Sequence, residues 1–472
     1  MLKRNTCLLT LAMAAAGLGI GCGDPPPAVD PSGEVVKTGD GKIVSAAAAN
    51  AFKEGFAKLQ KHDNANDWTD AECNATADHF KKANEEQQGT FFEALYNAGV
   101  AHQRCKHDDE AKKLFEEVLS KNSKFHRARV HVALYNYAKD KDVEKAIGEM
   151  KQAIADAEFK NEEALVNLAI LQMARDGKSG DSGCDDDFSC AKLNLQRALA
   201  INDGFMPAFN QLAIYYLENA KKEAGVKKGK VKVASGKDKK ANTQALELAA
   251  LVVSQALRKN PNYAPVHNTS GLISAELDDL SAAAQAFGTA RKLDAKFFEA
   301  HMNYAAVNLS FRGFAQAEQA YRAALTLRPN DFEAHLGLAL AVRGQIGDSN
   351  FEKNVAEAEQ LLEKARKLDP NRPETYYNEA ILVEEFKARG GDFAKNEPVL
   401  LKAKSLFGEF TTKASGKEEY AEAVKRAKER MEEIDQKIKF AKQSEEDRKK
   451  MEEFMKQQAA REQLEQQNKE GN

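Results

Sequence analysis

Four groups of side chains in this chain could do chemistry at close quarters. Gly180-Asp181-Ser182-Gly183 sets a serine hydroxyl between glycines, a local form that a hydrolytic nucleophile can take. Such a serine needs a histidine and a carboxylate carried to it by the fold, and this one lies in a polar stretch between helical patterns. Asp181, Asp185, Asp186 and Asp187 offer carboxylates to a hard cation, but without the spacing of an EF-hand loop. His102, Cys105 and His107 are spaced loosely like metal ligands and have no fourth ligand. His267, His301 and His335 recur at one equal interval, long enough to keep the rings on separate stacked units. Neither a phosphate-cradling G-x4-G-K-[ST] loop nor an H-E-x-x-H zinc motif occurs. No metal site and no cofactor is expected. The chain reads as a binding protein, and the competing reading is a hydrolase built on the acidic or Gly-Asp-Ser loop.

The elements that would carry these residues are helical. Charged residues make up 30% of the chain and hydrophobic residues 43%, with only 11 prolines and a formal net charge of -3. Acids and bases are interspersed, so no basic field calls for nucleic acid. Gly271, Ala305 and Ala339 are equally spaced, and Ala283 with Ala317, Phe287 with Tyr321 and Ala290 with Ala324 repeat the same interval. Each unit places a small residue in a first helix. A second helix then carries alanine, an aromatic four residues on, and alanine again. Two short helices cannot bury their own apolar faces, so such units must stack.

This pattern resembles the tetratricopeptide repeat (TPR), whose period is about 34 residues. The resemblance implies an all-α, right-handed superhelical solenoid. About nine helix-turn-helix repeats are expected over residues 48–415, at 48–91, 92–125, 126–160, 162–204, 206–263, 264–297, 298–331, 332–372 and 373–415. Insertions fall at Asp176 to Cys190 (acidic), Lys221 to Lys240 (basic) and Gly344 to Asn354. Residues 416–472 read as one long charged helix. Its seam of Tyr420, Val424, Ala427, Met431, Ile434, Ile438 and Ala441 alternates spacings of four and three. That seam could cap the last repeat, self-associate, meet a partner helix or occupy the groove.

In TPR arrays the first helices line a concave groove, the expected seat for a partner. The residue after each small crossing residue should face it: Val100, Leu134, Ile170, Ile214, Leu272, Ala306, Leu340 and Ile381. Four residues earlier, on the same face, stand Tyr96, Val130, Val166, Met302, Leu336 and Tyr377, with Asn210 and Asn268 as exceptions. Asn97, Asn167, Asn303 and Asn378 interleave with them and could hydrogen-bond a peptide backbone. Tight packing between hairpins could instead bury this face. Where some TPR domains clamp a carboxylate with basic residues, this chain has Glu93, Glu163, Glu299, Glu333 and Glu374. An acidic rim favours a basic or amphipathic ligand. The Lys221–Lys240 insertion holds nine lysines against Glu223 and Asp238, and could dock a polyanion or remain a solvated loop.

Residues 1–21 carry Lys3 and Arg4, then an apolar run from Leu8 to Ile20 that is too short to span a bilayer. Ending at Gly21-Cys22, it resembles a bacterial lipoprotein signal. The resemblance implies acylation of Cys22, and Gly23 after it implies sorting to the outer membrane, facing the periplasm. Residues 22–47 then form a flexible tether. Cys73, Cys105, Cys184 and Cys190 remain, an even number that suits two disulfides in an oxidising compartment. Cys184 with Cys190 is the natural pair within one loop, and Cys73 could meet Cys105, although four cysteines allow three connectivities. The layout of lipoprotein signal, TPR array and charged helical tail resembles the TPR lipoproteins of the myxobacterial adventurous gliding-motility machinery (GltE/AglT type). It implies a scaffold for envelope proteins in a motility complex. The alternative is an assembly factor for outer-membrane or secreted components.

Overall fold

In a computed structural model of the chain, the described residues are 37–39, 41–65, 67–179, 181, 183–223, 243–389 and 393–470. The signal segment, Cys22, most of the tether, Gly180, Ser182 and residues 224–242, which include most of the lysine-rich insertion, lie outside them. The all-helical array of hairpins is observed. Among the described residues the only β pairing is two isolated bridges, Lys37 with Ile43 and Lys178 with Asp186.

The chain divides into two compact units, meeting in sequence at Asp279 and Leu280. The first holds α1 (Ala46–Ala65), α2 (Asp70–Glu85), α3 (Phe92–Arg104), α4 (Asp108–Lys121), α5 (His126–Asp140) and α6 (Val143–Asp156). It continues with α7 (Glu162–Arg175), α8 (Asp187–Ile201), α9 (Met206–Glu223), α10 (Thr243–Lys259) and α11 (Ala264–Glu276). In this unit each helix packs on the one before it and the one after it. The second unit holds α12 (Leu280–Leu293), α13 (Phe298–Ser310), α14 (Phe314–Leu327), α15 (Phe332–Gly344), α16 (Phe351–Leu368) and α17 (Glu374–Leu382). A π turn (Val383–Lys387) extends α17, and α18 (Phe393–Ala414) and α19 (Ala421–Glu470) follow. Here too, successive helices pack together.

Local chemistry sets the boundaries. Side chains of Asp142, Asn161 and Asp331 accept from the backbone N–H three residues on, capping α6, α7 and α15. Asp186 and Ser189 form a reciprocal capping box on α8. Lys106, Asp278 and Arg312 close first helices in the left-handed conformation, with φ near 60°. The aromatic-alanine motif is the core of each hairpin. Ala317, Tyr321 and Ala324 are fully buried, as are Ala111 and Phe115. A methyl group on Gly99 would lie 2.7 Å from the Phe115 ring, so the small residue is what lets α3 and α4 cross. Burying each such ring contributes about 2–3 kcal/mol.

The tail seam packs on its own chain. Tyr420, Ala427, Ile434 and Ile438 are buried in one cluster with Phe407 and Phe410 of α18, flanked by Val424 and Met431. The front of α19 is therefore a cap. From Lys442 to Glu462 the side chains are almost all exposed, Met451, Phe454 and Met455 among them.

Candidate partner-binding site

The residues that could do chemistry are largely engaged in structure. Asp187 is fully buried and receives Arg175 through Nε at 2.7 Å and Nη2 at 2.6 Å, plus the Gly177 N–H at 2.8 Å. Asp186 caps α8, and Asp181 accepts from Lys151 and Gln172. Hydrogen bonds from Ser189 hold the Asp186 carboxyl below its ordinary pKa. Cys73 is bonded to Cys105 and Cys184 to Cys190, with Cα atoms 6.3 and 5.1 Å apart. The first bridge ties α2 to the end of α3. Among the described residues no three His, Cys, Asp or Glu side chains converge as metal ligands.

The periodic histidines have a mechanical role. His267, His301 and His335 each bring Nε2 within 2.7, 3.0 and 2.9 Å of the carbonyl oxygen six residues earlier, at Pro261, Ala295 and Pro329. Tyr376 donates its hydroxyl to Pro370 in the same relation. Each ring thus braces a first helix against the turn that leads into it.

The expected groove residues separate into two groups. Tyr96, Val100, Val130, Leu134, Val166, Leu336 and Asn378 are buried in the cores of their units. They hold hairpins together and present no open face; Tyr96, for instance, packs on Phe115 and Phe125 and reaches His131 Nε2 at 3.0 Å. Asn97, Asn167, Ile170, Ile214, Met302, Asn303, Leu340 and Tyr377 remain partly exposed on first helices. The amides of Asn97, Asn167 and Asn378 donate to the carbonyl four residues back on their own helices, at 2.7, 2.9 and 2.8 Å. One donor of each amide therefore already serves the helix.

Leu340 opens onto a cleft of about 600 Å³ in the second unit. Its walls are the ends of α13 (Ala306, Val307, Leu309, Ser310) and α15 (Leu340, Arg343, Gly344), with Phe314, Ile346 and, from the π turn, Glu385 and Phe386. Such a volume suits a few side chains of a ligand. A methyl group on Gly344 would lie 2.4 Å from the Phe314 ring, so glycine sets how closely these walls approach. Arg343 Nη1 donates to the carbonyl and side-chain oxygens of Asn378, both at 3.2 Å. Burial works against its charge and holds its pKa below the usual guanidinium value. Arg312 stands exposed at the rim. Arg430 of α19 grips Glu384 and Glu385 at 2.8 and 2.7 Å, fixing the π turn.

The expected acidic rim is mostly neutralised within the fold. Arg372 Nη2 bridges Glu333 at 2.8 Å and Glu374 at 2.9 Å, and the Tyr420 hydroxyl donates to Glu374 at 2.6 Å. Burial opposes charge on Glu374, yet the bonds from Arg372 and Tyr420 hold its carboxyl below its ordinary pKa. Glu299 pairs with Arg328 at 2.7 Å, and Glu93 accepts the Gly39 N–H at 2.6 Å. Glu299, Glu333 and Glu374 are thus committed to arginines of their own chain, which reduces the pull on a basic ligand, whereas Glu93 meets only a neutral backbone donor and Glu163 lies 3.8 Å from His131. Arg312, Arg343, Glu385 and Phe386 escaped the sequence reading. Arg343 had one available signal, a charge three residues beyond Leu340 that ends the apolar run Leu336 to Val342.

Residues 309–373 match the family model described as tetratricopeptide repeat. That stretch runs from the end of α13 to the residue before α17 and carries most of the cleft wall. No curated protein matches the chain. Among solved structures it is similar to TTC0263, a thermophilic TPR protein of Thermus thermophilus. That match has 22% identity and a TM-score of 0.37, covering 46% of this chain and 99% of that one. A tetratricopeptide repeat protein from Parabacteroides merdae shares 16% identity at a TM-score of 0.37, covering 64% and 98% of the two chains. Pseudomonas aeruginosa pilF shares 15% at a TM-score of 0.39, covering 55% and 99%.

Proposed function

We propose that this chain is a non-enzymatic scaffold that binds a segment of a partner protein in the cleft between α13, α15 and the π turn. The observation that carries the reading is the cleft itself, where Leu340, Phe314 and Phe386 stay partly exposed around a half-buried arginine. An apolar recess with a few fixed polar groups is the usual form of a binding site. The test is affinity capture from envelope membranes with the full chain beside a Leu340→Glu variant of unchanged circular dichroism. Specific partners should be lost with the variant. Partners retained equally by both proteins would remove the cleft from the interaction. Leu134 is a poor probe, because at 8% exposure a charge there disturbs packing instead.

The scaffold works, in this proposal, as a lipoprotein tethered through Cys22 to the outer membrane and facing the periplasm. There it holds envelope proteins together in a gliding-motility complex. The apolar run before Cys22 and the two cysteine pairs within bonding distance support export to an oxidising compartment. Metabolic palmitate labelling that persists in Cys22→Ala would remove the anchor from this reading.

A further inference from the structure

We infer that the cleft of the second unit receives an acidic-apolar peptide segment, in which a carboxylate stands beside an aliphatic or aromatic side chain. This rests on the cleft being a partner-binding site and adds the chemistry of the partner. The apolar half of the ligand follows from the walls. Val307, Leu309, Phe314, Leu340, Ile346 and Phe386 line most of the recess.

The acidic half follows from charge. Arg343 lies among these apolar walls with its Nη1 on the neutral carbonyl and amide of Asn378. Among the described residues no carboxylate oxygen lies within 4.0 Å of its guanidinium. Its remaining N–H groups form the planar fork that takes a carboxylate through two parallel bonds. Arg312 at the rim is likewise without a carboxylate of the described residues at that distance. The acid that lines the cleft, Glu385, is occupied by Arg430, and Glu384 behind it is shared between Arg430 and Lys437. Arg389, stacked 4.3 Å from the centre of the Phe351 ring and 5.8 Å from that of Phe386, adds a further cation nearby. A basic segment would meet like charge here. Glu299, Glu333 and Glu374, the carboxylates able to draw it, are bound to Arg328 and Arg372. Glu385 acts on Arg343 through space while bonded to Arg430, and an acidic side chain entering the cleft supplies the directly bonded carboxylate that Arg343 lacks among the described residues.

The test is selection of a random dodecapeptide phage library on the full chain, with counter-selection on the Leu340→Glu variant. Enriched sequences should pair Asp or Glu with Leu, Ile or Phe within a few residues. A synthetic copy, followed by fluorescence anisotropy, should bind at least tenfold more weakly to Arg343→Gln. Exchanging its acid for the amide, or raising the salt, should weaken it too. Arg312→Gln, at an exposed position, should weaken binding about threefold and keeps the test valid if Arg343→Gln fails to fold. Enriched peptides that are basic or uncharged, or that bind Arg343→Gln and Arg312→Gln as tightly as wild type, overturn the acidic assignment while leaving the cleft a peptide site. Failure of any sequence to enrich over Leu340→Glu overturns both.

Discussion

Replacing Gly337 with alanine adds one methyl group to the buried side of α15, and the geometry gives it a definite cost. The new Cβ would lie 2.2 Å from Cζ of Tyr321 and 2.6 Å from its Cε1 and hydroxyl oxygen. Comfortable carbon contacts begin at about 3.5 Å, so the ring must retreat by more than about 1 Å. Tyr321 is fully buried and backed by Ala317, Ala320 and Ala324, all at 0% exposure, and has little room to do so. Overpacking of this kind costs roughly 1–3 kcal/mol, and this overlap falls at the upper end. Alanine recovers about 1 kcal/mol through its helix propensity, leaving a net loss of about 2 kcal/mol. Native-state hydrogen exchange of the α15 amides reads this directly, since unfolding of an array this long need not be two-state. A loss of about 2 kcal/mol corresponds to exchange roughly 30-fold faster. Gly148 is the control. It is exposed in the middle of α6, and a methyl group added there meets no atom within 4 Å, so Gly148→Ala should stabilise α6 by about 1 kcal/mol. If Gly337→Ala slows exchange as Gly148→Ala does, the account of the aromatic interlock is wrong. Combining Gly337→Ala with Tyr321→Leu should restore most of the lost protection.

Three further outcomes follow from other parts of the molecule. The Cys73–Cys105 bridge joins cysteines 32 positions apart, so in the chain-entropy model its removal in a double serine variant costs about 3–4 kcal/mol; unchanged exchange in α2 and α3 would contradict this. Burial lowers the pKa values of His102, His126, His131 and His301. The unfolded chain therefore takes up protons first, so their stabilising contribution is complete above about pH 6.5 and is lost as pH falls through the lowered folded values. Urea midpoints should drop as pH falls below about 6.5, and less so in His131→Gln, whereas a flat profile would remove these rings from the acid response. Ile434→Glu places a charge at a fully buried position and should release α19 from α18 at a cost of about 3 kcal/mol or more. Trypsin should then cut the front of the tail rapidly. Phe454→Glu, at 58% exposure, should leave cleavage unchanged.

The hairpins were legible in the sequence because their core is local. Alanine, aromatic and alanine in one helix meet a small residue in a neighbouring helix, and all recur with the period. The candidate site was less legible. Spacing of four places Val130, Val166 and Leu336 on one face of their helices, but cannot tell whether the next hairpin covers that face, and all three are buried. Leu340 and Ala306 line the cleft, whereas the rest of it depends on distant pairings. Arg343 meets Asn378, 35 residues on, and Glu385 meets Arg430, 45 residues on. The glutamates illustrate the same limit. Their positions were readable, but Arg372 between Glu333 and Glu374 was visible only once the helices were placed.

The π turn at Val383–Lys387 makes helix length a control on what the cleft presents. An α-helix advances about 100° per residue, and a π turn accommodates one residue more than the α-helical ladder does. Deleting a single residue there would restore an α-helical turn and leave the rest of the helix on its own face, because the wide turn is what absorbs the additional residue. Glu385 and Phe386 stand on that wide turn, so their placement on the cleft wall, and with it the pair of carboxylates that Arg430 grips, would change. A one-codon change, with almost no alteration in composition or hydrophobicity, would therefore rewrite the pocket's chemistry while every hairpin core stayed intact.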